Sequence, residues 1–179
     1  MNDMIRKILD VKAVESQIVH LDYEILDVNE ILTSLERVFA SKAKSKNIKL
    51  EISTNCDEPL IKADRNYLIQ VLENLISNAL KFSPFDKRIQ IKVREIDSSI
   101  LIAVKDEGPG IPKSEFHQLF KKYNKLTPKP TDGEQSIGLG LSIVKKYVEV
   151  MNGKVWCRRD LETGAEFIVE FQKESVSVA

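Results

Sequence analysis

Apolar residues recur along this chain with two periods, and those periods predict most of its elements. Over residues 64–82, Leu68, Leu72, Leu75, Ala79 and Phe82 return at steps of three and four, the spacing of one buried helix face. Asp64 stands where such a helix starts, and Pro84 lies just beyond its end. A second helix, capped by Asp27 or Asn29, carries Ile31, Leu32, Leu35, Val38 and Phe39 and runs out in a lysine-rich stretch before Asn47. Ile48, Leu50 and Ile52 then alternate with polar neighbours as in a strand. Residues 89–94 and 100–104 alternate likewise around Asp97, Ser98 and Ser99 and predict a hairpin. A third long helix covers 138–151 and stops at Asn152 and Gly153 in a left-handed turn. Two last strands, 155–159 and 165–171, flank a turn at Gly164, with Trp156 and Phe167 expected in the core.

Strands in neighbouring pairs, rather than in strict alternation with helices, predict an α+β chain. The expected architecture is a two-layer α/β sandwich, with a mixed, mostly antiparallel sheet and helices on one face. Two segments stand outside it. Residues 1–19 place Met1, Met4, Ile8, Val11 and Ile18 on an apolar helical seam that is marginal alone and calls for a partner helix. After Pro112, a short helix around Phe116 and Phe120 leads into a stretch with Pro128, Pro130 and Gly133; roughly 25 residues with so little pattern is too long for an idle connection and reads as a lid.

Composition narrows the class of function. The 179 residues suit one domain with a small appendage, and 27 basic against 27 acidic side chains leave no net field to draw nucleic acid. Cys56 and Cys157 lie far apart and in no metal spacing, as expected in a reducing, cytoplasmic setting. No apolar run approaches the roughly 20 residues that span a bilayer, so a soluble chain is expected. His20 and His117 are the only histidines, and His117, beside lysines, reads as a surface residue.

Three patterns carry chemistry. On the helix over 64–82, Gln70, Asn74, Ser77, Asn78 and Lys81 form a second face. A solvated face is the plain explanation, yet Asn and Ser are poorer helix formers than Ala by about half a kcal/mol each. An Asn carbonyl oxygen suits Mg²⁺, and Lys81 stands three residues on to meet a phosphate. Asp106-Glu107-Gly108-Pro109-Gly110 follows a strand; it is either a plain turn or a turn whose Asp accepts a hydrogen bond from the exocyclic amine of adenine. Gly138-Leu139-Gly140-Leu141 opens a helix, where free N–H groups favour anions, and no Walker-type string is present.

In this order the segments 74–83, 106–110, 116–120 and 138–141 resemble the N box, first glycine box, F box and second glycine box of the catalytic ATP-binding domain of sensor histidine kinases. The resemblance covers about residues 21–174, leaves 175–179 as a tail, and makes 1–20 similar to the end of the second helix of that family's dimerization hairpin. It implies the Bergerat fold shared with gyrase, Hsp90 and MutL-type ATPases, and a site for ATP and Mg²⁺. Asn78 would be the principal Mg²⁺ ligand with Asn74 assisting, Lys81 would contact phosphate, and Phe82 would border the nucleotide. Asp106 would bind the adenine amine, and Gly108 and Gly110 would let the backbone approach the base. Gly138, Leu139, Gly140 and Leu141 would cradle phosphates under a lid over 111–137 that begins at Ile111 and carries Lys125.

The resemblance also implies what lies elsewhere. The acceptor histidine belongs to a dimerization hairpin, and His20-Leu21-Asp22-Tyr23 does not fit its context. The implied partners are therefore that hairpin, within a homodimeric parent kinase, and the receiver domain of a response regulator; a membrane anchor on the parent is left open. Lys125 stands where many relatives carry Arg, which supplies a bidentate fork that lysine lacks. Glu166 stands where a small hydroxyl residue near the adenine is common. Gyrase and Hsp90 use a helix Glu as base where this chain has Asn74, which argues against independent hydrolysis. An anti-sigma-type Ser/Thr kinase and a non-catalytic nucleotide-binding module are the alternatives.

Overall fold

The computed structural model describes residues 20–124, 126–131, 138–158 and 163–175. The expected helix over 1–19, residue Lys125, the second part of the lid and the end of the strand at Arg159 lie outside the described residues.

Two helices start where short acidic side chains satisfy free N–H groups. Helix α1, Val28–Ser45, begins at Asp27, whose Oδ1 accepts from the Asn29 N–H at 2.7 Å. It buries Val28, Ile31, Leu32, Leu35 and Ala43. Val38, expected on that face, is 62% exposed: at 100° per residue it falls beyond the edge of the stripe, while Phe39 packs against the core. Helix α2, Arg65–Phe82, begins at Asp64, whose Oδ1 accepts from Asn66 and Tyr67 and whose Oδ2 accepts from Asp22. Leu68, Val71, Leu72, Leu75, Ile76, Ala79 and Leu80 are buried along it.

The main sheet has strands β2 (Lys49–Thr54), β4 (Arg88–Ile96), β5 (Ser99–Lys105), β6 (Lys154–Cys157) and β7 (Glu166–Gln172), in the order β2-β4-β5-β7-β6. Only the β2–β4 pair is parallel, the chain returning to β4 through α2; a tight turn joins antiparallel β4 and β5, and longer connections bring β7 antiparallel between β5 and β6. Registration aligns one apolar row across all five strands, Ile52–Ile91–Val104–Phe167–Cys157. Such rows bury the face covered by the helices, and α3 (Gly140–Val150) completes that layer by packing on α2, where the Tyr67 and Tyr147 rings stack at 4.5 Å. The expected sandwich is therefore present. Phe167 joins the core as expected, but Trp156 does not: it pairs with Ile168 on the opposite face and is half-buried, because side chains alternate along β6.

A second, two-stranded antiparallel sheet of β1 (Tyr23–Asp27) and β3 (Leu60–Asp64) has no counterpart in the sequence pattern. Exposed Tyr23, Glu24 and Ile25 hide its alternation. It delivers Asp27 and Asp64, adjacent to α1 and α2, to their capping positions. Asp64→Ala is expected to lower unfolding free energy by about 2 kcal/mol in chemical denaturation, because two α2 N–H groups and the Asp22 N–H lose their acceptor together.

Candidate nucleotide site

Between the end of α2, the start of α3, the end of β5 and the start of β7 lies a cavity of about 1110 Å³ among the described residues, a little above the roughly 300–1,000 Å³ of small-ligand sites. Its walls are largely apolar: Phe82 from α2, Ile111 and Leu119 from the segment after β5, Leu141 from α3 and Phe167 from β7. Phe120 stands edge-on to Phe167 with ring centroids 6.5 Å apart. Tyr123, Asn124 and residues 126–130 close one side, and Thr127 is held there by bonds from its N–H and hydroxyl to the Glu115 carboxylate.

Asp106 sits just past β5, where strand pairing gives way to a backbone clamp. Its Oδ1 accepts from the N–H groups of Gly108 at 2.8 Å and Ala165 at 3.1 Å, and its own N–H donates to the Ala165 carbonyl. Gly164 makes that approach possible: it has φ +75°, and a Cβ there would overlap the Asp106 carbonyl oxygen. Burial pushes the Asp106 carboxyl above its ordinary range, against the pull of those two N–H groups. Oδ2 takes none of the hydrogen bonds found among the described residues, although Asp106 lines the cavity. Asp106 thus offers one constrained acceptor to whatever enters.

Asn78 lines the same cavity, and Asn74 lies one turn earlier on α2. The Asn74 amide donates to the Gln70 carbonyl at 2.8 Å, which fixes the side chain and directs Oδ1 toward the α3 N-terminus. There a Cβ on Gly140 would come within 3.1 Å of Asn74 Oδ1 and 3.8 Å of Asn78 Nδ2. Among the described residues no side chain caps α3, and free N–H groups at a helix start favour an anion. Gly138, with φ +76°, packs its α-carbon on the Asn124 backbone, where a Cβ would come within 2.5 Å of the Asn124 carbonyl.

The structure brings Asn78, Phe82, Asp106, Gly110, Ile111, Gly138, Gly140 and Leu141 to one cavity. Asn74 stands behind Gly140, and Gly108 packs on the Phe82 carbonyl while donating to Asp106. Leu139 and Lys81 are not in the lining; Leu139 is a core residue whose carbonyl accepts from Ile143 and Ser142, and Lys81 is buried, with its carbonyl bound to the Thr131 N–H. Glu166 is directed away as well, beside Arg158 at 3.3 Å, so its neighbours Ala165 and Phe167 form that wall. The sequence reading missed Ala165 and Thr131. Gly164 before an alternating strand was the available signal for the first; nothing marked the second.

The family model for histidine kinase-, DNA gyrase B- and HSP90-like ATPases matches residues 63–175. The sensor protein RprX of Bacteroides fragilis is 28% identical over 167 residues, which cover 92% of this chain and 32% of that protein. The chain spans less than half the length of the curated relatives it matches. Among solved structures, the catalytic domain of histidine kinase ThkA, in a nucleotide-free form, is 29% identical with a TM-score of 0.75, over 85% of this chain and 96% of that one. ThkA in complex with the response regulator protein TrrA gives 26% and 0.77, over 97% of this chain and 49% of that one. Full-length ShkA in complex with AMPPNP is 26% identical with a TM-score of 0.83, over 97% of this chain and 36% of that one. No helix among the described residues is long and apolar enough to cross a membrane.

The raised Asp106 pKa has a consequence for stability. A carboxyl raised in the folded state stabilises the fold fully below its unfolded value and loses that contribution as pH rises through the folded value. Asp106→Asn, which keeps the Oδ1 acceptor, is therefore expected to gain stability relative to the parent as pH rises from 3 to 7. Urea denaturation of both proteins across that range checks it, and a difference that shrinks with pH would contradict it.

Proposed function

The chain belongs to the histidine kinase-, DNA gyrase B- and HSP90-like ATPase family, and within it we propose that residues 21–174 are the ATP-binding catalytic domain of a sensor histidine protein kinase. The carrying observation is a single cavity lined by Asp106, Asn78 and Gly140. Asp106 Oδ2 accepts from the adenine amine; guanine presents a carbonyl there and would leave the carboxylate unpaired. The apolar walls take the base. The uncapped N-terminus of α3 takes the phosphates through N–H groups aimed at them.

Mg²⁺ fits the donor set, because Asn78 and Asn74 supply hard amide oxygens and no cluster of three His, Cys, Asp or Glu competes among the described residues. Asn78 is the principal ligand and Asn74, with its amide nitrogen already committed to Gln70, assists. The bound ion would neutralise charge on the phosphate chain. Everything else this chain does is positional, which suffices for phosphoryl transfer when donor and acceptor are aligned. Lys81, three residues beyond Asn78 on the last turn of α2 and behind the lining, would contact phosphate.

The γ-phosphoryl group passes to a histidine on the dimerization hairpin of the homodimeric parent kinase, and from there to an aspartate of a response regulator. His117, on the 3-10 helix Lys113–Gln118, and His20, before β1, both lie outside the cavity lining, which supports an acceptor supplied from the hairpin. The position of Asn74 also supplies no carboxylate base to activate water.

Calorimetry is expected to show Mg²⁺-dependent binding of ADP and AMPPNP to the chain. Asn78→Ala should weaken it at least tenfold, about 1.4 kcal/mol. Incubation with γ-labelled ATP should leave no acid-labile phosphate on the isolated chain. Equal affinity in mutant and parent would remove Asn78 from the metal site, and labelled protein would disprove the external acceptor.

A further inference from the structure

We infer that Lys46 is a positioning residue for the nucleotide cavity, holding the segment 126–131 against the end of α2 through Thr131. The inference rests on the nucleotide reading above. Lys46 follows α1, contributes nothing to the cavity lining, and is 2% exposed. An ammonium in such a place is unfavourable unless its donors are used. Its Nζ donates to the Leu80 carbonyl at 2.6 Å, the Ser83 carbonyl at 2.7 Å and the Thr131 hydroxyl at 2.6 Å. The Phe85 ring stands over the ammonium, 5.5 Å from centroid to Nζ.

Two of those acceptors explain a structural lysine. Leu80 is among the last four residues of α2, whose carbonyls lack partners within the helix, and a cation there also complements the helix dipole. The third acceptor is different. Thr131 belongs to the segment whose Leu126, Thr127, Pro128, Lys129 and Pro130 line the cavity. Its N–H donates to the Lys81 carbonyl at 3.1 Å, and its hydroxyl lies 2.8 Å from the Ser83 carbonyl. Ser83 contributes its backbone oxygen to the knot, and its buried hydroxyl has no hydrogen-bond partner among the described residues. Lys46 and Thr131 therefore bind the same turn, and each fixes the other.

That turn carries Phe82, so the knot sets the distance between the Phe82 wall and the Pro128–Pro130 wall. A lysine serving α2 alone would influence melting and leave the cavity unaffected. A lysine serving the wall should change how the 126–131 segment moves and how tightly nucleotide is held.

Thr131→Val tests this while leaving Lys46 its two carbonyl acceptors. In the ligand-free chain, amide hydrogen exchange over 126–131 should accelerate at least tenfold, with α1 protection unchanged. ADP affinity with Mg²⁺ present should fall by roughly tenfold, a free-energy change of about 1.4 kcal/mol. Lys46→Met should lower affinity similarly, and the double variant should bind no more weakly than Lys46→Met alone. Unchanged ADP affinity and unchanged exchange in Thr131→Val would overturn the inference, even where Lys46→Met does not fold. A parent chain that binds no ADP would overturn the nucleotide reading instead, while the exchange measurement still decides whether the segment is held.

Discussion

The C-terminal turn of α2 is the constraint on which the site depends. Four carbonyls emerge there with no helical partner, and three neighbouring segments use that turn: Lys46 from the end of α1, Thr131 from the cavity wall, and the Asp106–Gly110 loop through the Phe82 carbonyl. The same helix carries Asn78 one turn earlier and Asn74 two turns earlier. Helix and sheet are thus joined at the place where the cavity forms. A shift of that turn would move Phe82, the loop and the lid-side wall together.

The sheet contributes from the other side. The apolar row from Ile52 to Cys157 passes through Val104 and Phe167, and its β5 and β7 members are each two residues from the Asp106–Ala165 clamp. Burial of that row aligns the ends of β5 and β7. Without the alignment the Ala165 N–H would not meet Asp106 Oδ1, and the carboxylate would be buried with half the compensation it now has. Ordinary core packing and the most specialised side chain in the site are continuous.

What the sequence revealed follows the same physics. Asn74 and Asn78 were legible because each is a poor choice for a plain helix face, Asp106, Gly138 and Gly140 because of where they stand, at a strand end and a helix start, and the order of all five then matched a known pattern. Lys46 was not legible. It belongs to a run with Lys42 and Lys44, where a solvated face is the natural reading, and only long-range contacts with Leu80, Ser83 and Thr131 distinguish it. The β1–β3 pair was hidden for a related reason, since Tyr23, Glu24 and Ile25 are exposed in succession. Trp156 misled in the opposite direction, because size suggests burial while strand alternation turns it outward. Periodicity reports local faces; it does not report which distant backbone oxygen a lysine will find.

The local departures from good folding practice also share one explanation. Asp106 is a carboxylate held in a buried place that raises its pKa, α3 begins without a side-chain cap, and α2 spends positions on Asn where better helix formers exist. Each is unfavourable alone, and such conflicts are expected where function overrides folding. A ligand with an aromatic amine at one end and a chelated polyphosphate at the other, as the proposed function requires, would resolve all three at once. The amine would satisfy Asp106 Oδ2, the phosphates would occupy the N–H groups at the start of α3, and a cation between phosphate and amide oxygen would use the Asn pair. No simple anion or apolar molecule does so, because each leaves at least one of the three uncompensated.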